Sequence, residues 1–323
     1  MILAAGYGTR LRPLTEHLPK PLLPVLGRPV LWHQARLLAD AGVKEAVINL
    51  HHLPERIEEY VGSGALGFLA THFVREEGRI LGTGGGIRNA RGFLGPKTAL
   101  VVNGDTLLLA DLAALVGHHR KSGATATMLL IEDPSVADEH AVYVDGGGRV
   151  RRAVGHGAPA RGLLRCAFLG AHAIEPAAID YLPQEGCVIR NGYVKAMGNG
   201  EPIAGFVTRA QARDLGTPAS LLQTNLDALH GELDMPHVKE SLSDNKLDSR
   251  HKDPVKVRGM VFVGPGCAFG TGVELGPDAV LACNVRVGKG ARIAQSLVLH
   301  GETIKPGEVL THTVAGFGLR IRA

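Results

Sequence analysis

The sequence predicts an open, mostly parallel, Rossmann-like α/β sheet that is followed by a short left-handed parallel β-helix. Two patterns support this fold class. Over roughly the first 130 residues, short apolar runs alternate with amphipathic stretches, which is typical of parallel strands joined by helices. After residue 256, aliphatic residues recur every six positions and several are followed by glycine, which is typical of a β-helix.

The first pattern predicts strands and helices in alternation. The predicted strands span residues 2–5, 46–50, 69–74, 99–103 and 125–131, and the predicted helices span residues 30–41, 53–61, 85–93 and 112–121. Open α/β sheets bind ligands at the carboxyl ends of their strands. The residues that follow Ala5 and Val102 are therefore the first candidates for a functional site.

Shorter elements follow, with a topology that the pattern leaves open. They are strands at residues 141–144, 150–154, 166–170 and 203–207 and a helix at residues 176–181. We predict a first domain over residues 1–231, a polar linker interrupted by prolines over 232–256, a repeat domain over 257–311 and a C-terminal tail over 312–323.

The second pattern is a hexapeptide repeat. Its members share a spacing of six residues and are Val257, Val263, Phe269, Leu275, Leu281, Val287, Ile293 and Leu299. Glycine follows four of them, at Gly264, Gly270, Gly276 and Gly288, and alanine takes that place at Ala282 and Ala294. Each hexapeptide is expected to form one face of a triangular coil, so the segment predicts about two coils and an assembly surface for a homo-oligomer.

Composition excludes several classes of protein. The chain has 35 basic and 31 acidic residues, a surplus too small to predict a nucleic-acid or membrane surface. The four cysteines include no Cys-x-x-Cys pair, which argues against zinc and a disulfide framework. The apolar run after Met1 is too short for a signal segment or a membrane span. We expect a cytoplasmic protein with small-molecule partners.

The loop after the first predicted strand carries the first candidate chemistry. Its glycines at Gly6 and Gly8 let backbone amides approach a phosphate closely, although an ordinary strand-to-helix turn has the same composition. The loop matches neither a P-loop nor a complete Gly-x-Gly-x-x-Gly, because Leu11 takes the last position. Lys20 lies between two prolines and is predicted, with Arg10, to neutralise a triphosphate.

These residues resemble the signature of the sugar-1-phosphate nucleotidyltransferases, also called NDP-sugar pyrophosphorylases. The matching segments are Leu3-Ala4-Ala5-Gly6-Tyr7-Gly8-Thr9-Arg10-Leu11-Arg12-Pro13-Leu14-Thr15, Pro19-Lys20-Pro21, Leu81-Gly82-Thr83-Gly84-Gly85, Asn103-Gly104-Asp105, Phe168-Leu169-Gly170 and Asp214-Leu215-Gly216-Thr217-Pro218. The match covers the predicted catalytic domain, and a fused hexapeptide domain is common in this family. The subgroup that the chain resembles is the mannose-1-phosphate guanylyltransferase-like one.

The resemblance implies roles for individual residues. It makes Asp105 and Asp214 the carboxylate ligands of a Mg²⁺ cofactor, and Arg10 and Lys20 the catalytic cations. It implies nucleotide contacts from Leu3, Ala5, Gly6, Gly8, Thr9, Arg10, Lys20, Glu77, Gly82 and Thr83. Asp105 also ends a predicted buried strand, where a hard cation can be held by oxygen atoms. A helix cap at Asp105 and a turn cap at Asp214 are the alternatives.

The resemblance suggests that Glu77 reads the nucleobase. An ionised carboxylate only accepts hydrogen bonds, so it can take two from guanine or one from the imide of uracil or thymine. This mildly favours GTP, but an exposed glutamate in the charge run from Arg75 to Glu77 is an equal alternative. The base therefore stays open.

The sugar side departs from the family pattern. Many relatives have a Glu-Lys-Pro segment that contacts the sugar phosphate, whereas residues 152–159 here read Arg-Ala-Val-Gly-His-Gly-Ala-Pro. We assign Gly170 and Asn191 to the sugar phosphate, and Arg165 and His172 are further candidates. Each is also a common surface or structural residue type.

The predicted reaction is a Mg²⁺-dependent in-line displacement at the α-phosphorus of a nucleoside triphosphate, giving an NDP-sugar and pyrophosphate. The expected pair is GTP with mannose 1-phosphate, or UTP or dTTP with a hexose 1-phosphate. Open alternatives are a non-catalytic sugar-nucleotide-sensing subunit, a phosphocholine cytidylyltransferase-like enzyme and an acyltransferase in the repeat domain. His300 and His312 are the nearby bases for the last of these.

Overall fold

The computed structural model describes residues 1–238 and 255–323, which form two compact units. The first contains Met1–Tyr7 and Leu31–Ala212, and the second contains Gly8–Val30 and Arg213–Ala323. This division differs from the predicted boundary at residue 231, because residues 8–30 and 213–231 group with the repeat. Most of the predicted linker, residues 239–254, lies outside the described residues.

The elements through residue 229 are strands and helices, and five strands follow one another between the fifth and the sixth α-helix. The strands are β1 (Ile2–Leu3), β2 (Pro24–Val25), β3 (Arg28–Pro29), β4 (Glu45–Leu50), β5 (Ala70–Arg75), β6 (Ala99–Asn103), β7 (Thr106–Leu109), β8 (Ala126–Glu132), β9 (Val142–Val144), β10 (Val150–Ala153), β11 (His156–Gly157), β12 (Leu164–Ile174), β13 (Ile203–Thr208) and β14 (Gln211–Asp214). The α-helices are α1 (Val30–Asp40), α2 (Pro54–Tyr60), α3 (Gly82–Asn89), α4 (Arg91–Leu94), α5 (Leu112–Ser122), α6 (Pro176–Ile179), α7 (Val194–Gly198) and α8 (Pro218–Leu229).

The first unit is built on one ten-stranded sheet, which confirms the predicted open α/β fold. Its strands lie in the order β11-β10-β9-β12-β6-β1-β4-β5, and β8 pairs with both β12 and β13. The run β6-β1-β4-β5 is parallel, and Ile2 pairs with both Ile48 and Val102. These central residues are fully buried, which explains their continuous apolar runs.

The sheet is mixed because β12 runs antiparallel to β6, β8 and β9. Sequence alone predicted only residues 166–170 as a strand here, whereas β12 extends to Ile174. The strand bends at Gly170, whose φ of 82° lies in the left-handed region, and its pairing with β8 shifts register between Phe168 and His172. One long strand therefore joins the two parallel parts of the sheet.

The second unit begins with a hairpin and a capped helix. Strands β2 and β3 are joined by Leu26 and Gly27, both with positive φ, as a tight two-residue hairpin requires. Thr217 and Ser220 form a capping box at the start of α8. Asn225 of α8 is fully buried, accepts from the Leu26 amide at 2.9 Å and donates to the Pro24 carbonyl at 3.0 Å, so the helix holds the hairpin.

The C-terminal part has three sheets whose strands are parallel, as in a β-helix, except for the last strand of the chain. The strands are β15 (Lys256–Val257), β16 (Val261–Val263), β17 (Ala268–Phe269), β18 (Glu274–Leu275), β19 (Ala279–Leu281), β20 (Arg286–Val287), β21 (Arg292–Ala294), β22 (Ser296–Val298), β23 (Thr303–Ile304), β24 (Val309–Thr311), β25 (Thr313–Gly316) and β26 (Leu319–Arg322). The sheet orders are β15-β18-β21-β24, β16-β19-β22-β25-β26 and β17-β20-β23. Its handedness stays a prediction.

The repeat is longer than the predicted two coils, because four parallel strands stack in one of its sheets. Leu275 pairs with Ile293 at a separation of 18 residues, but Leu281 pairs with Val298 at a separation of 17. The predicted tail at residues 312–323 was wrong in this respect, since it contains β25 and the antiparallel strand β26. Of the predicted inward positions, those from Leu275 onward are buried, whereas Val257 is exposed.

Candidate active site

The candidate site of the first unit lies at the carboxyl ends of its parallel strands. Strands β6, β1, β4 and β5 are neighbours and end at Asn103, Leu3, Leu50 and Arg75. The loops that follow them leave the same edge of the sheet, where open α/β folds bind ligands. All of the first unit's predicted nucleotide contacts lie on these strands, on the loops that follow them or at the start of α3.

The loop after β1 is held from two sides. The Ala4 amide donates to Asn49 Oδ1 at 2.8 Å, and the Gly104 amide donates to the Leu3 carbonyl at 2.8 Å. Gly6 is different, because a Cβ at this position would meet no protein atom within 4 Å. No packing among the described residues explains a glycine there, whereas close approach of a ligand phosphate does.

The Gly82-Thr83 segment packs closely against a second loop. A Cβ on Gly82 would lie 2.7 Å from the Gly186 carbonyl oxygen, and Gly84 donates its amide to the same oxygen at 2.8 Å. Thr83 Oγ1 accepts from the Val188 amide at 2.9 Å. The glycines at the start of α3 therefore allow the segment to dock against residues 183–188, and the Thr83 side chain helps to hold this contact.

The two adjacent glutamates after β5 have different environments. Glu77, the predicted base reader, is exposed, so its carboxylate is accessible to a ligand. Glu76 is only 4% exposed, and its carboxylate accepts hydrogen bonds from Asn49 and the Leu81 amide. Sequence reasoning did not single out Glu76, because the Arg-Glu-Glu run looks uniformly polar.

Asp105 and Gly170 both lie near Asn103. Asp105 is the second residue after β6, is half-buried and accepts from Thr106 Oγ1 at 3.4 Å. A Cβ on Gly170 would lie 2.9 Å from Asn103 Nδ2, so only glycine lets β12 pass this side chain. The structure thus places a predicted sugar-phosphate residue close to the segment that carries a predicted metal ligand.

The other candidates on the sugar side have structural contacts. His172 is 1% exposed and bonds to Tyr193, and burial lowers the pKa of this imidazole to about 3. The proposal of His172 as a phosphate contact was therefore wrong, since it is a neutral core residue. Asn191 accepts from the Cys187 amide at 2.9 Å, and the Arg165 guanidinium lies 5.8 Å from the Tyr143 ring centroid.

The second unit brings three predicted catalytic residues together. Lys20 Nζ donates to Asp214 Oδ1 and Arg10 Nη2 donates to Asp214 Oδ2, each at 3.0 Å. The Lys20 side chain is 5% exposed, whereas that of Asp214 is 54% exposed. The lysine is thus a buried, fixed cation, while the carboxylate and Arg10 face solvent.

Two glycines make this cluster possible. Gly8 has a φ of 62°, and a Cβ there would lie 2.9 Å from the Thr15 methyl and 3.2 Å from Lys20 Cβ. A Cβ on Gly216 would collide with the Arg10 guanidinium and lie 2.7 Å from Asp214 Oδ2. The signature glycines therefore let the backbone pass directly beside the charged groups.

The charges of the cluster favour the binding of an anion. Burial alone raises the pKa of Asp214, but the hydrogen bond and charge of Lys20, followed by those of Arg10, outweigh burial and lower it. The carboxylate is therefore ionised at neutral pH. The cluster thus presents two cationic side chains, Lys20 and Arg10, of the kind that bind a phosphate group.

The available donors fit a hard cation such as Mg²⁺. Asp105 and Asp214 offer carboxylate oxygens, and each Asp214 oxygen keeps acceptor capacity beyond its one hydrogen bond to a cation. No group of three or more metal-binding side chains occurs within residues 1–238 and 255–323.

Comparisons with known proteins agree with the geometry. A family model described as "Nucleotidyl transferase" matches residues 1–154. Mannose-1-phosphate guanylyltransferase of Mycobacterium tuberculosis is 33% identical over 317 residues, which cover 91% of this chain and 82% of that protein. The chain belongs to the sugar-1-phosphate nucleotidyltransferase family. As a member, it is a nucleotidyltransferase enzyme.

Further relatives show the breadth of this family. UTP–glucose-1-phosphate uridylyltransferase of Synechocystis is 27% identical, covering 95% of this chain and 84% of that protein. The structure of a UDP-glucose pyrophosphorylase from Acinetobacter baumanii shares the fold with a TM-score of 0.60 and 18% identity, covering 76% of this nucleotidyltransferase and 98% of that chain. Across the described ranges, no helix has the length and hydropathy needed to cross a bilayer.

Proposed function

We propose that this nucleotidyltransferase transfers a nucleotidyl group from a nucleoside triphosphate to a sugar 1-phosphate in a Mg²⁺-dependent reaction. GTP with mannose 1-phosphate is the first substrate pair, and UTP with glucose 1-phosphate is the second. The observation that carries the proposal is the Lys20–Asp214–Arg10 cluster, in which one carboxylate holds a buried lysine and an exposed arginine side by side. The names of the Mycobacterium tuberculosis and Synechocystis relatives supply the two pairs.

The reaction is a single displacement at phosphorus. A phosphate oxygen of the sugar 1-phosphate forms a bond to the α-phosphorus, and the bond from this phosphorus to the bridging oxygen breaks. Pyrophosphate leaves with the electron pair of that bond. The nucleophile is already an anion at neutral pH, so no side chain has to remove a proton, and the chain's task is positioning and charge neutralisation.

Lys20 and Arg10 perform the neutralisation. Asp214 holds both cations in place before substrate arrives, so little reorganisation is needed when negative charge develops on the phosphoryl oxygens. Lys20 is the more confined of the two, because its stem is buried beside Gly8. We assign Lys20 to the reacting phosphates and the exposed Arg10 to the leaving pyrophosphate.

Asp105 and Asp214 are the residues that would hold Mg²⁺. A bound Mg²⁺ neutralises phosphate charge and orients the nucleotide. In the first unit, the open space beside Gly6 is the place for the nucleotide phosphates. Gly170 lies against Asn103, and we assign its backbone to the acceptor phosphate.

The exposed Glu77 is our candidate for reading the base. If its carboxylate accepts from guanine N1–H and the exocyclic amine, Glu77→Gln replaces one acceptor by a donor and reduces the preference for GTP over UTP. The measured quantity is the ratio of kcat/KM for the two nucleotides. An unchanged ratio in Glu77→Gln contradicts the assignment.

The test of function is pyrophosphate release by the purified protein with Mg²⁺. The common nucleoside triphosphates are combined with a panel of sugar 1-phosphates and with phosphocholine. We expect release with a sugar 1-phosphate. Release only with phosphocholine, or tight nucleotide binding without turnover on any acceptor, contradicts the proposal and favours the phosphocholine or the regulatory alternative. Assembly through the β-helix and a cytoplasmic location stay predictions.

A further inference from the structure

Two buried polar side chains lie between the loops assigned to the nucleotide. Asn49 is 2% exposed near the end of β4, and Glu76 is 4% exposed just after β5. Burying a carboxyl group is costly unless hydrogen bonds compensate for the lost water. Its place at the ligand edge of the sheet therefore needs an explanation beyond packing.

The pair completes a chain of hydrogen bonds from one loop to the other. The Ala4 amide donates to Asn49 Oδ1 at 2.8 Å, and Asn49 Nδ2 donates to Glu76 Oε1 at 2.7 Å. The Leu81 amide donates to Glu76 Oε2 at 2.7 Å. Two side chains thus link the loop after β1 to the residue that precedes Gly82.

Helix α3 lies directly against this pair. A Cβ on Gly86 would lie 2.8 Å from Asn49 Nδ2 and 2.8 Å from Glu76 Oε1. Glycine is thus the only residue that lets the helix approach so closely. The third of the consecutive glycines in this segment is explained by the pair rather than by a nucleotide.

A second link uses the Glu76 backbone. His51 Nδ1 lies 2.8 Å from the Glu76 carbonyl oxygen, which can only accept, so this nitrogen carries the proton. In the neutral ring, Nε2 then accepts from the Tyr7 hydroxyl at 3.0 Å. Tyr7 is at the far end of the loop after β1, so both ends of that loop are tied to Glu76.

The hydrogen-bond polarity of the pair is fixed. Because the Ala4 amide requires an oxygen at Asn49 Oδ1, the Asn49 amide nitrogen must face Glu76. The Leu81 amide faces the other Glu76 oxygen. Position 76 needs two acceptors, which glutamate supplies and glutamine cannot.

We propose that Asn49 and Glu76 are positioning residues that set the separation of the two nucleotide loops and so determine nucleotide affinity. This inference rests on the proposed function. Neither side chain touches substrate in this scheme; both act through the backbone at Ala4 and Leu81. Their loss should raise the nucleotide Kd and KM and leave the KM for the sugar 1-phosphate nearly unchanged.

Polarity supplies a rescue experiment. Glu76→Gln sets a donor against a donor, and Asn49→Asp sets two carboxylates against each other. In the double variant Asn49→Asp/Glu76→Gln, the Ala4 amide donates to Asp, the Gln amide donates to the other Asp oxygen, and the Leu81 amide donates to the Gln oxygen. The double variant therefore restores every bond with the polarity of the central one reversed.

The experiment measures the nucleotide Kd by calorimetry, both KM values and Tm for wild type, the two single variants and the double variant. We expect each single variant to bind nucleotide about tenfold or more weakly, since a buried group is left unpaired. We expect the double variant to return to within about threefold of wild type, as isosteric exchange keeps the bonds. Thr127→Val is the matched control, because it removes a buried hydrogen bond between Thr127 and His119 in the same unit.

Every outcome of this experiment supports or overturns the positioning role of Asn49 and Glu76. Single variants with wild-type nucleotide Kd, a folded double variant without recovery, or an equal loss of affinity in Thr127→Val each overturn the inference. If the single variants do not fold, recovery of both folding and affinity in the double variant supports it, and folding without affinity overturns it. Wild-type protein that binds no nucleotide refutes the proposed function and this inference together, whereas normal wild-type binding with unaffected variants refutes only the inference.

Discussion

Lys20→Met is the sharpest test of the charged cluster. The substitution keeps an unbranched apolar stem in the buried position and removes only the ammonium group, which lies 3.0 Å from Asp214 Oδ1. Because the Asp214 side chain is 54% exposed, solvent screens the pair. Its contribution to the free energy of unfolding should be about 1 kcal/mol or less, which lowers the Tm of a domain this size by only about 2–4 °C.

The expected effect on catalysis is much larger. Removing one preorganised donor that acts on transition-state charge costs roughly a hundred- to a thousandfold in kcat, equivalent to about 3–4 kcal/mol. The expected loss of transition-state stabilisation is therefore clearly larger than the expected loss of unfolding free energy. We expect kcat to fall by about two to three orders of magnitude in Lys20→Met, with Tm lowered by only a few degrees.

The assay is initial-rate pyrophosphate release at saturating concentrations of both substrates, accompanied by thermal denaturation. Lys97→Met removes an exposed lysine of the first unit and is the matched control, with kcat and Tm expected to equal those of wild type. A Lys20→Met enzyme with kcat within about threefold of wild type refutes the role that we assign. So does a loss of rate that follows the loss of folded protein.

Three more predictions concern the same cluster. Gly216→Ala should lower kcat about tenfold, because its Cβ would collide with Arg10. The control Gly117→Ala, in open space on α5, should leave kcat unchanged and raise the free energy of unfolding by about 0.5–1 kcal/mol, and equal kcat values for the two variants contradict the prediction. Because the pKa of Asp214 is lowered, its ion pairs stabilise the fold above the usual pKa of 3.8 and lose that contribution as the pH falls through the lowered pKa. The Tm difference between wild type and Asp214→Asn should therefore vanish in acid. A Tm difference that does not change with pH contradicts this prediction. Because two cations already pair with Asp214, Mg²⁺ alone should not raise Tm, whereas Mg²⁺ with nucleotide should. A higher Tm with Mg²⁺ alone contradicts this prediction, since the metal site would then be complete without substrate.

The strands of the sheet could be predicted where burial on both faces requires a continuous apolar run. Strands β4 and β6 are buried on both faces and read as apolar runs, so their positions and the ligand edge followed from the sequence. Strand β12 was predicted too short, because Gly170 interrupts its apolar run. The glycine is required by Asn103, a residue far away in sequence, and no local pattern can report such a contact.

The length of the β-helix was underestimated for a related reason. One coil is a residue shorter than the coil before it, since Glu274 pairs with Arg292 at a separation of 18 but Ala279 pairs with Ser296 at 17. Gln295, with a φ of 45°, lies at this shortened corner. A strict spacing of six therefore ends there, although Ile304 and Leu310 continue it in a shifted register and are buried.

In the candidate site too, sequence could not predict contacts between residues that are far apart in the chain. Lys20 could be singled out because two prolines fix its backbone, and the structure brings it to Asp214, which lies 194 residues away in the chain. Glu76 and Glu77 could not be distinguished, because adjacent identical residues carry no local signal for which one turns inward. Asn49 decides it, since its orientation is fixed by the Ala4 amide and it presents a donor to Glu76. The burial of Glu76 is thus specified by Asn49 on the neighbouring strand, and the double variant that exchanges the two side-chain types is the change that can show it.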